Sequence, residues 1–254
     1  MIRRSARPIA QAASPNARAA VHGLRIMGLL GMVGFAACGV AVQPGVPVEQ
    51  EPRHRLVSDL EFAQVLDIQI LGNDTTMFHT HSRPIAYVCL RESEVAAQPA
   101  GEEWGKAGSV CRAGTASSTP EYAESPLTHR VTNTGLDIFR LLAVQNLRDG
   151  GAPAALGPPA GATMVDNDWF RAQAIEIDPG GTEDPYTRAF PPHRHDVPTL
   201  LVLVGNGPVS SVGSDDREHV VVEPGAWAWI DAGATHSLVS VEGTPTRVVE
   251  VEVR

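Results

Sequence analysis

The chain has 254 residues, enough for one large domain or two small ones. Aromatic residues make up only 5%, while 24 Gly and 20 Pro supply many turns, a composition that fits a turn-rich β protein and not a helical bundle. With 20 basic against 29 acidic residues the net charge is −9, which argues against a nucleic-acid partner and against electrostatic docking on anionic lipid.

The first 38 residues stand apart. They hold five arginines and no acidic residue, and an apolar run from Ile26 to Ala37 follows Arg25. A positive n-region, a short apolar h-region and small residues before a cleavage point describe a secretory signal peptide over 1–38. Twelve apolar residues are too few for a membrane span, which needs about 20. The Phe35-Ala36-Ala37-Cys38 ending resembles a bacterial lipobox. It implies lipidation of Cys38 and an exported protein anchored to the cell envelope, facing the periplasm or the cell exterior, with the lipid as its only membrane contact. Loss of 1–38 leaves 15 basic against 29 acidic residues, so the mature chain carries about −14. Cys89 and Cys111 then remain in an oxidising compartment, where a disulfide and a pair of buried thiols are both open.

Residues 39–54, a Pro/Val/Gln stretch without periodicity, read as a flexible tether. Short apolar or alternating runs follow, broken by turn residues: Phe62–Leu71, Pro84–Leu90, Ile138–Val144, Ala172–Ile177, Pro198–Val204, Val220–Val222, Ala226–Ile230 and Thr246–Val253. Their length and Val, Ile and Leu content predict the strands of an all-β barrel or sandwich, although Leu60–Leu66 also fits a helical turn or two. A Gly/Pro/Ala-rich linker at 150–165 separates two halves, 55–149 and 166–254.

Six of the nine histidines fall into two copies of one pattern. His79 and His81 are followed by His129 after 48 residues, and His193 and His195 by His236 after 41. Residues i and i+2 of a strand share a face, so each pair can present two imidazoles together. A third imidazole from another strand completes a facial set for a borderline metal. Aligning His129 with His236 places Arg140 and Arg247 at the same offset, eleven residues on, each ahead of a strand-like run, Leu141–Gln145 and Val248–Glu252. These matches together indicate a duplication.

Other residues carry less information. The two arginines read as a repeated ion pair, and Asp231 as part of a turn with Ala232 and Gly233. His22 leaves with the signal peptide, while His54 and His219, without partners at useful spacing, read as solvent-exposed. Trp227 and Trp229 share one strand face, where packing in the core and lining of a ligand pocket are both open. Tyr87, six residues past His81, is a further pocket candidate beside a structural reading. Asp184–Arg188 reads as a loop at a barrel rim. No Ser-His-Asp triad, phosphate loop or nucleotide fingerprint occurs.

The His-x-His pairs and the run from Gly225 through Gly233 and His236 to Ser240 resemble the two cupin motifs, Gly-x5-His-x-His-x3-4-Glu-x6-Gly and Gly-x5-Pro-x-Gly-x2-His-x3-Asn. Asp231 takes the proline place and Ser240 the asparagine place; in the first half Asn133 matches, and Pro126 stands where glycine is expected. The resemblance covers about residues 55–254 and implies a bicupin, each half an antiparallel jelly-roll β-barrel with its histidines at the mouth. His79, His81 and His129 would be metal ligands in one half, and His193, His195 and His236 in the other. The family's glutamate ligand is missing from both halves, with Ile85 or Ala86 and Thr199 or Leu200 at its offset. Three outcomes are open: a three-histidine site with free positions as in some cupin oxygenases, a Zn²⁺ site of three His and a water, or vestigial histidines.

The implied function is an exported bicupin that binds Fe, Mn or Zn and acts as a dioxygenase-type oxidoreductase on a small organic substrate. An ion with three neutral ligands would attract an anionic or enolisable molecule. The alternative is a non-catalytic ligand-binding or scaffold lipoprotein.

Overall fold

The computed structural model describes residues 44–149, 156–178, 189–214 and 217–254; the signal peptide, Cys38, the start of the linker and Asp184–Arg188 lie outside them. In the N-terminal half one sheet runs, in spatial order, His54–Asp59, Ala63–Ile70, Phe139–Asn146, Ile85–Arg91 and Ala116–Thr119. An outer sheet runs Val46–Pro47, His79–His81, Leu127–Asn133, Glu94–Pro99 and Gly108–Ser109. The C-terminal half repeats the first order with Ala162–Asp166, Phe170–Ile177, Thr246–Val253, Thr199–Leu203 and Trp227–Ile230. Its outer sheet runs Ala189–Arg194, Thr235–Ser240, Val209–Gly213 and Glu218–Val221. Each half is a jelly-roll barrel, and the matched strand orders are the structural trace of duplication.

Period-two alternation sorts the strand residues into three cores. Ile68, Ile70, Ile85, Cys89, Phe139 and Leu141 fill the N-terminal barrel. Ile175, Ile177, Leu201, Leu203, Leu238 and Val248 fill the C-terminal one. The alternate residues of the same strands, among them Val65, Val88, Leu142, Leu200, Val249 and Val251, form a third core where the two five-stranded sheets of the central strands pack face to face. Trp227 and Trp229 lie against this shared core, so they are packing residues and not pocket walls. Trp229 meets Phe62 edge-on at 5.4 Å and donates its Nε1–H to Ser58 Oγ at 3.3 Å.

Polar contacts pin the same interface. Arg148 Nη1 donates to Val253 O at 2.9 Å, and Asn167 Nδ2 to Ser118 Oγ at 2.9 Å. The two duplicated arginines form ion pairs, Arg140 with Asp67 at 3.1 Å and Arg247 with Glu176 at 3.0 Å. Arg140 also reaches across to Pro224 O at 3.2 Å. Gly225 (φ +90°) lies beneath it, where an added Cβ would stand 2.8 Å from the guanidinium. Cys89 and Cys111 form a disulfide that ties a barrel strand to the loop after Gly108–Ser109.

Two boundary expectations are corrected. The tether at 39–54 does not extend to residue 54: Val46–Pro47 pairs in parallel with His79–Thr80, and Glu51 and His54 are buried. A Pro-containing segment without periodicity can still add to a sheet edge through its free backbone groups, here Val46 N to Phe78 O at 2.9 Å. The linker at 150–165 ends sooner as well, because Ala162–Asp166 pairs with Phe170–Ile177. The strand expected from Phe62 holds from Ala63, with no helical turn over Leu60–Leu66, since Ala63–Ile70 is paired on both sides.

Because the barrels share one apolar layer, their stabilities are coupled. Leu200→Ala, at the middle of that layer, is expected to cost about 2–5 kcal/mol. It should lower a single unfolding transition seen alike by circular dichroism and tryptophan fluorescence; two separate transitions, one of them unshifted, would contradict the shared core.

Candidate metal centres

In the C-terminal barrel, His193 lies near the end of Ala189–Arg194, His195 just past it, and strand pairing sets His193 opposite His236. The histidines come from the outer sheet and point into the barrel. Glu250 comes from Thr246–Val253 on the opposite sheet, whose alternation turns Val248, Glu250 and Glu252 inward. Glu250 lies 3.1 Å from His193 Nε2, 3.3 Å from His236 Nε2 and 3.5 Å from His195 Nε2. His195 Nε2 and His236 Nε2 are 3.0 Å apart. These separations fall near the edges of octahedral and tetrahedral donor sets of radius about 2.1 Å, roughly 3.0 and 3.4 Å. A divalent ion fits.

Each imidazole is held by its other nitrogen. His193 Nδ1 bonds Pro191 O at 3.1 Å, His195 Nδ1 bonds Glu252 Oε1 at 3.0 Å, and His236 Nδ1 meets Ser211 Oγ at 2.7 Å. Glu252 is in turn gripped by Arg171, with Nη2 on Oε1 at 2.8 Å and Nε on the second oxygen. Gln173 Nε2 donates to Glu250 Oε2 at 2.9 Å. This outer layer fixes which nitrogen each ring presents. Burial raises the Glu250 carboxyl, but hydrogen bonds from the three histidines more than offset that and hold it well below its ordinary value. Burial lowers His195, while Glu250 and Glu252 pull it the other way, up to about 9. Burial keeps His236 below its usual value. The space beside His236 is about 40 Å³, room for a few waters only.

The missing glutamate therefore has a replacement in this half. Thr199 and Leu200, at the motif offset, carry no carboxylate, and Glu250 arrives from the neighbouring strand, paired opposite Leu201. The Val-Glu-Val-Glu run at 249–252 was the available signal, since acidic residues alternating with Val in a buried strand place charge inside a barrel. By the duplication, Glu250 corresponds to Ala143 and Glu252 to Gln145, so the N-terminal half lacks both.

There, His79 pairs opposite His129, and ring nitrogens of His79, His81 and His129 lie within 4.8 Å of one another. His79 Nδ1 donates to Met77 O at 2.9 Å. His79 Nε2 and His81 Nδ1 are buried without a hydrogen-bond partner. Two orphaned imidazole nitrogens beside a third histidine are what a metal ion would satisfy, so this set fits one too. His54, expected at the surface, is instead buried with its ring 4.5 Å from that of His79. The cause is Glu51, a buried carboxylate that binds His54 Nδ1 at 2.7 Å and accepts from Met77 N at 3.1 Å. Burial raises Glu51, and the His54 and backbone hydrogen bonds bring it below its ordinary value.

The N-terminal barrel also holds a cavity of about 430 Å³. The four histidines line one part of it, and Ile68, Ile70, Val131, Phe139 and Leu141 line much of the rest. Tyr87 is a wall residue, hydrogen-bonded to Tyr122, which stacks on His81 at 4.8 Å. Burial is the first cause that lowers the three histidines, His79 to about 3, His81 to about 2 and His129 to about 4. Neighbouring imidazoles add to it.

Opposite pH signatures follow for the metal-free chain. The N-terminal histidines stay neutral when folded but protonate near 6.5 when unfolded, so stability falls as pH drops below about 6.5, by about 2 kcal/mol per histidine at pH 5. His195, raised to about 9, stabilises fully below 6.5 and loses that contribution as pH rises through 9. Urea unfolding of metal-free protein should show a smaller loss from pH 7 to 5 in His81→Asn, and a smaller loss from pH 7 to 9 in His195→Gln; unchanged pH profiles would refute the assignment.

No family model and no curated protein matches the sequence. Solved structures do match. AerE from Microcystis aeruginosa aligns with a TM-score of 0.53 at 10% identity, over 80% of this chain and 98% of that one. Oxalate decarboxylase of Bacillus subtilis gives 0.52 at 9% identity, over 76% of this chain and 69% of that one. A putative glyoxylate-induced protein from Pseudomonas aeruginosa gives 0.50 at 14% identity, over 80% and 79%. At such identities the likeness concerns the fold alone. Two jelly-roll barrels of matched strand order, each with its His-x-His pair and distant third histidine, give this chain the fold of the cupin superfamily in a two-barrel form.

Proposed function

We propose that this chain is an exported, lipid-anchored bicupin that binds divalent metal through both histidine sets, with different roles for the two barrels. The C-terminal centre, with four donors, a complete outer layer and only about 40 Å³ of space beside His236 among the described residues, serves as a structural metal site. The N-terminal centre, three histidines on a cavity of about 430 Å³, is where a small organic molecule would meet the ion. The observation that carries this reading is the convergence of three Nε2 atoms and Glu250 on one point, with every Nδ1 already engaged.

An ion such as Fe, Mn or Zn would supply Lewis acidity and, if redox-active, electrons for a dioxygenase-type oxidation. The chain's own residues then have separable tasks. His79, His81 and His129 hold the ion, the apolar wall excludes water and places the substrate, and the Tyr87–Tyr122 pair orients the His81 ring by stacking. A competing reading, a non-catalytic binding module, draws support from the absence of any carboxylate among the described residues lining the cavity. Recovery of a bound molecule unchanged after aerobic incubation with loaded protein would favour that module.

Elemental analysis of the purified full chain should find up to two ions. Glu252→Gln is expected to weaken the C-terminal site 10–100-fold through loss of His195 orientation, while His79→Ala removes only the N-terminal ion. Failure of the wild type to hold any of these metals after reconstitution would end the metal reading. For export, mass spectrometry should find Cys38 as a lipid-modified N-terminus; an intact Met1 or an unmodified Cys38 would refute the anchor.

A further inference from the structure

We propose that residues 101–114 form a strap along the mouth of the N-terminal cavity, and that the Cys89–Cys111 disulfide is its latch, released by a dithiol to widen the way in. The proposal concerns the cavity alone and needs no metal ion in it. Most of the cavity wall is sheet. Ile70, Phe139 and Leu141 come from one sheet, and His79, His129 and Val131 from the other. Phe139–Asn146 and Leu127–Asn133 are paired with neighbours on both sides, so these walls are fixed. The remaining side is closed by Gly105, Lys106, Val110, Cys111 and Thr115, which belong to the connection between Glu94–Pro99 and Ala116–Thr119. Lys106 and Val110 line the cavity and are exposed as well, so the mouth runs along this connection.

The strap has few fastenings. Residues 101–107 are all exposed, and a segment that buries so little is held weakly by packing. Gly101 (φ +83°) and Gly114 (φ +76°) make the left-handed turns at its two ends. At the first end, Trp104 lies 4.8 Å from the Arg130 guanidinium, and Gly105 N donates to Ala97 O at 2.8 Å. In the middle, Gly108–Ser109 pairs with Glu94–Val95. At the last end, Gly114 N donates to Cys89 O at 2.8 Å, and the disulfide adds the one covalent tie. The other barrel shows the contrast. Its corresponding connections are shorter, 214–217 and 222–226 against 100–107 and 110–115 here, and its half of the chain has no cysteine. Length and latch both belong to the barrel with the large cavity.

The latch is within reach of a reagent. Cys111 is half-buried between exposed Val110 and Arg112, whereas Cys89 is buried. A dithiol's thiolate attacks Cys111 Sγ and Cys89 leaves as a thiolate; the second thiol of the reagent then displaces Cys111 and closes the reagent's own disulfide. Two electrons and two protons pass from the dithiol to the protein, which ends with two thiols.

The probe is N-phenyl-1-naphthylamine, uncharged and fluorescent in apolar surroundings. It is mixed by stopped flow with the metal-free full chain before and after treatment with dithiothreitol. Reduction should speed association about tenfold or more, since freeing a long loop favours its open states. Cys111→Ser should bind at the fast rate untreated and show no response to dithiothreitol. Leu141→Trp, which fills the cavity, should abolish the fluorescence in both states. Hydrogen exchange read by mass spectrometry should rise over 100–115 on reduction and stay unchanged over Phe139–Asn146. Equal association rates in the two redox states, a Cys111→Ser protein that stays slow, or undiminished fluorescence in a folded Leu141→Trp protein would each overturn the proposal. So would exchange that rises over Phe139–Asn146 too, because the disulfide would then support the whole barrel. Should Cys111→Ser fail to fold, the reduced and oxidised wild type still decide.

Discussion

The central strands of this protein are buried on both faces, and that double burial governs everything built on them. A strand in such a position divides its residues between two interiors, one inside its own barrel and one shared with the neighbouring barrel. Thr246–Val253 shows the consequence, with Val249 and Val251 facing the shared core while Val248 turns into the barrel. Glu250 and Glu252 follow the Val248 side and are fully buried. Carboxylates in that position must be partnered, and the partners are three histidines, Arg171 and Gln173. The candidate metal centre and the packing of the barrel are thus a single arrangement.

The duplicated strand in the other half carries Ala143 and Gln145, and a different interior results. This strand carries no carboxylate of its own, and the barrel is left with its histidines, an apolar wall and open volume. The contrast in histidine protonation has the same origin. In the C-terminal half two carboxylates outweigh burial at His195, while in the N-terminal half burial prevails at His79, His81 and His129, the Met77 hydrogen bond and Glu51 opposing it only weakly at His79. One fold copied twice has given one saturated site and one unsaturated site.

Much of this was legible before the structure. The eight apolar runs coincide with central strands or short edge strands, because double burial demands continuous Val, Ile and Leu. The outer-sheet strands Glu94–Pro99, Leu127–Asn133 and Val209–Gly213 escaped notice, since one side is more exposed and their sequences are polar and short. His54 was misplaced for a similar reason: its partner is Glu51, three residues away, and only the edge pairing of Val46–Pro47 folds that segment over His79. Trp227 and Trp229 could be assigned to packing only once the barrels were set against each other.

The sequence by itself determined the duplication, the strand-rich fold and the two histidine sets, because periodicity and spacing are properties of the chain taken locally. Tertiary structure alone decided that Glu250, rather than a residue at the motif offset, completes the C-terminal set, and that the N-terminal histidines line an open cavity. Both depend on strand register and on which face of a doubly buried strand points inward, and register is settled by partners far away in sequence.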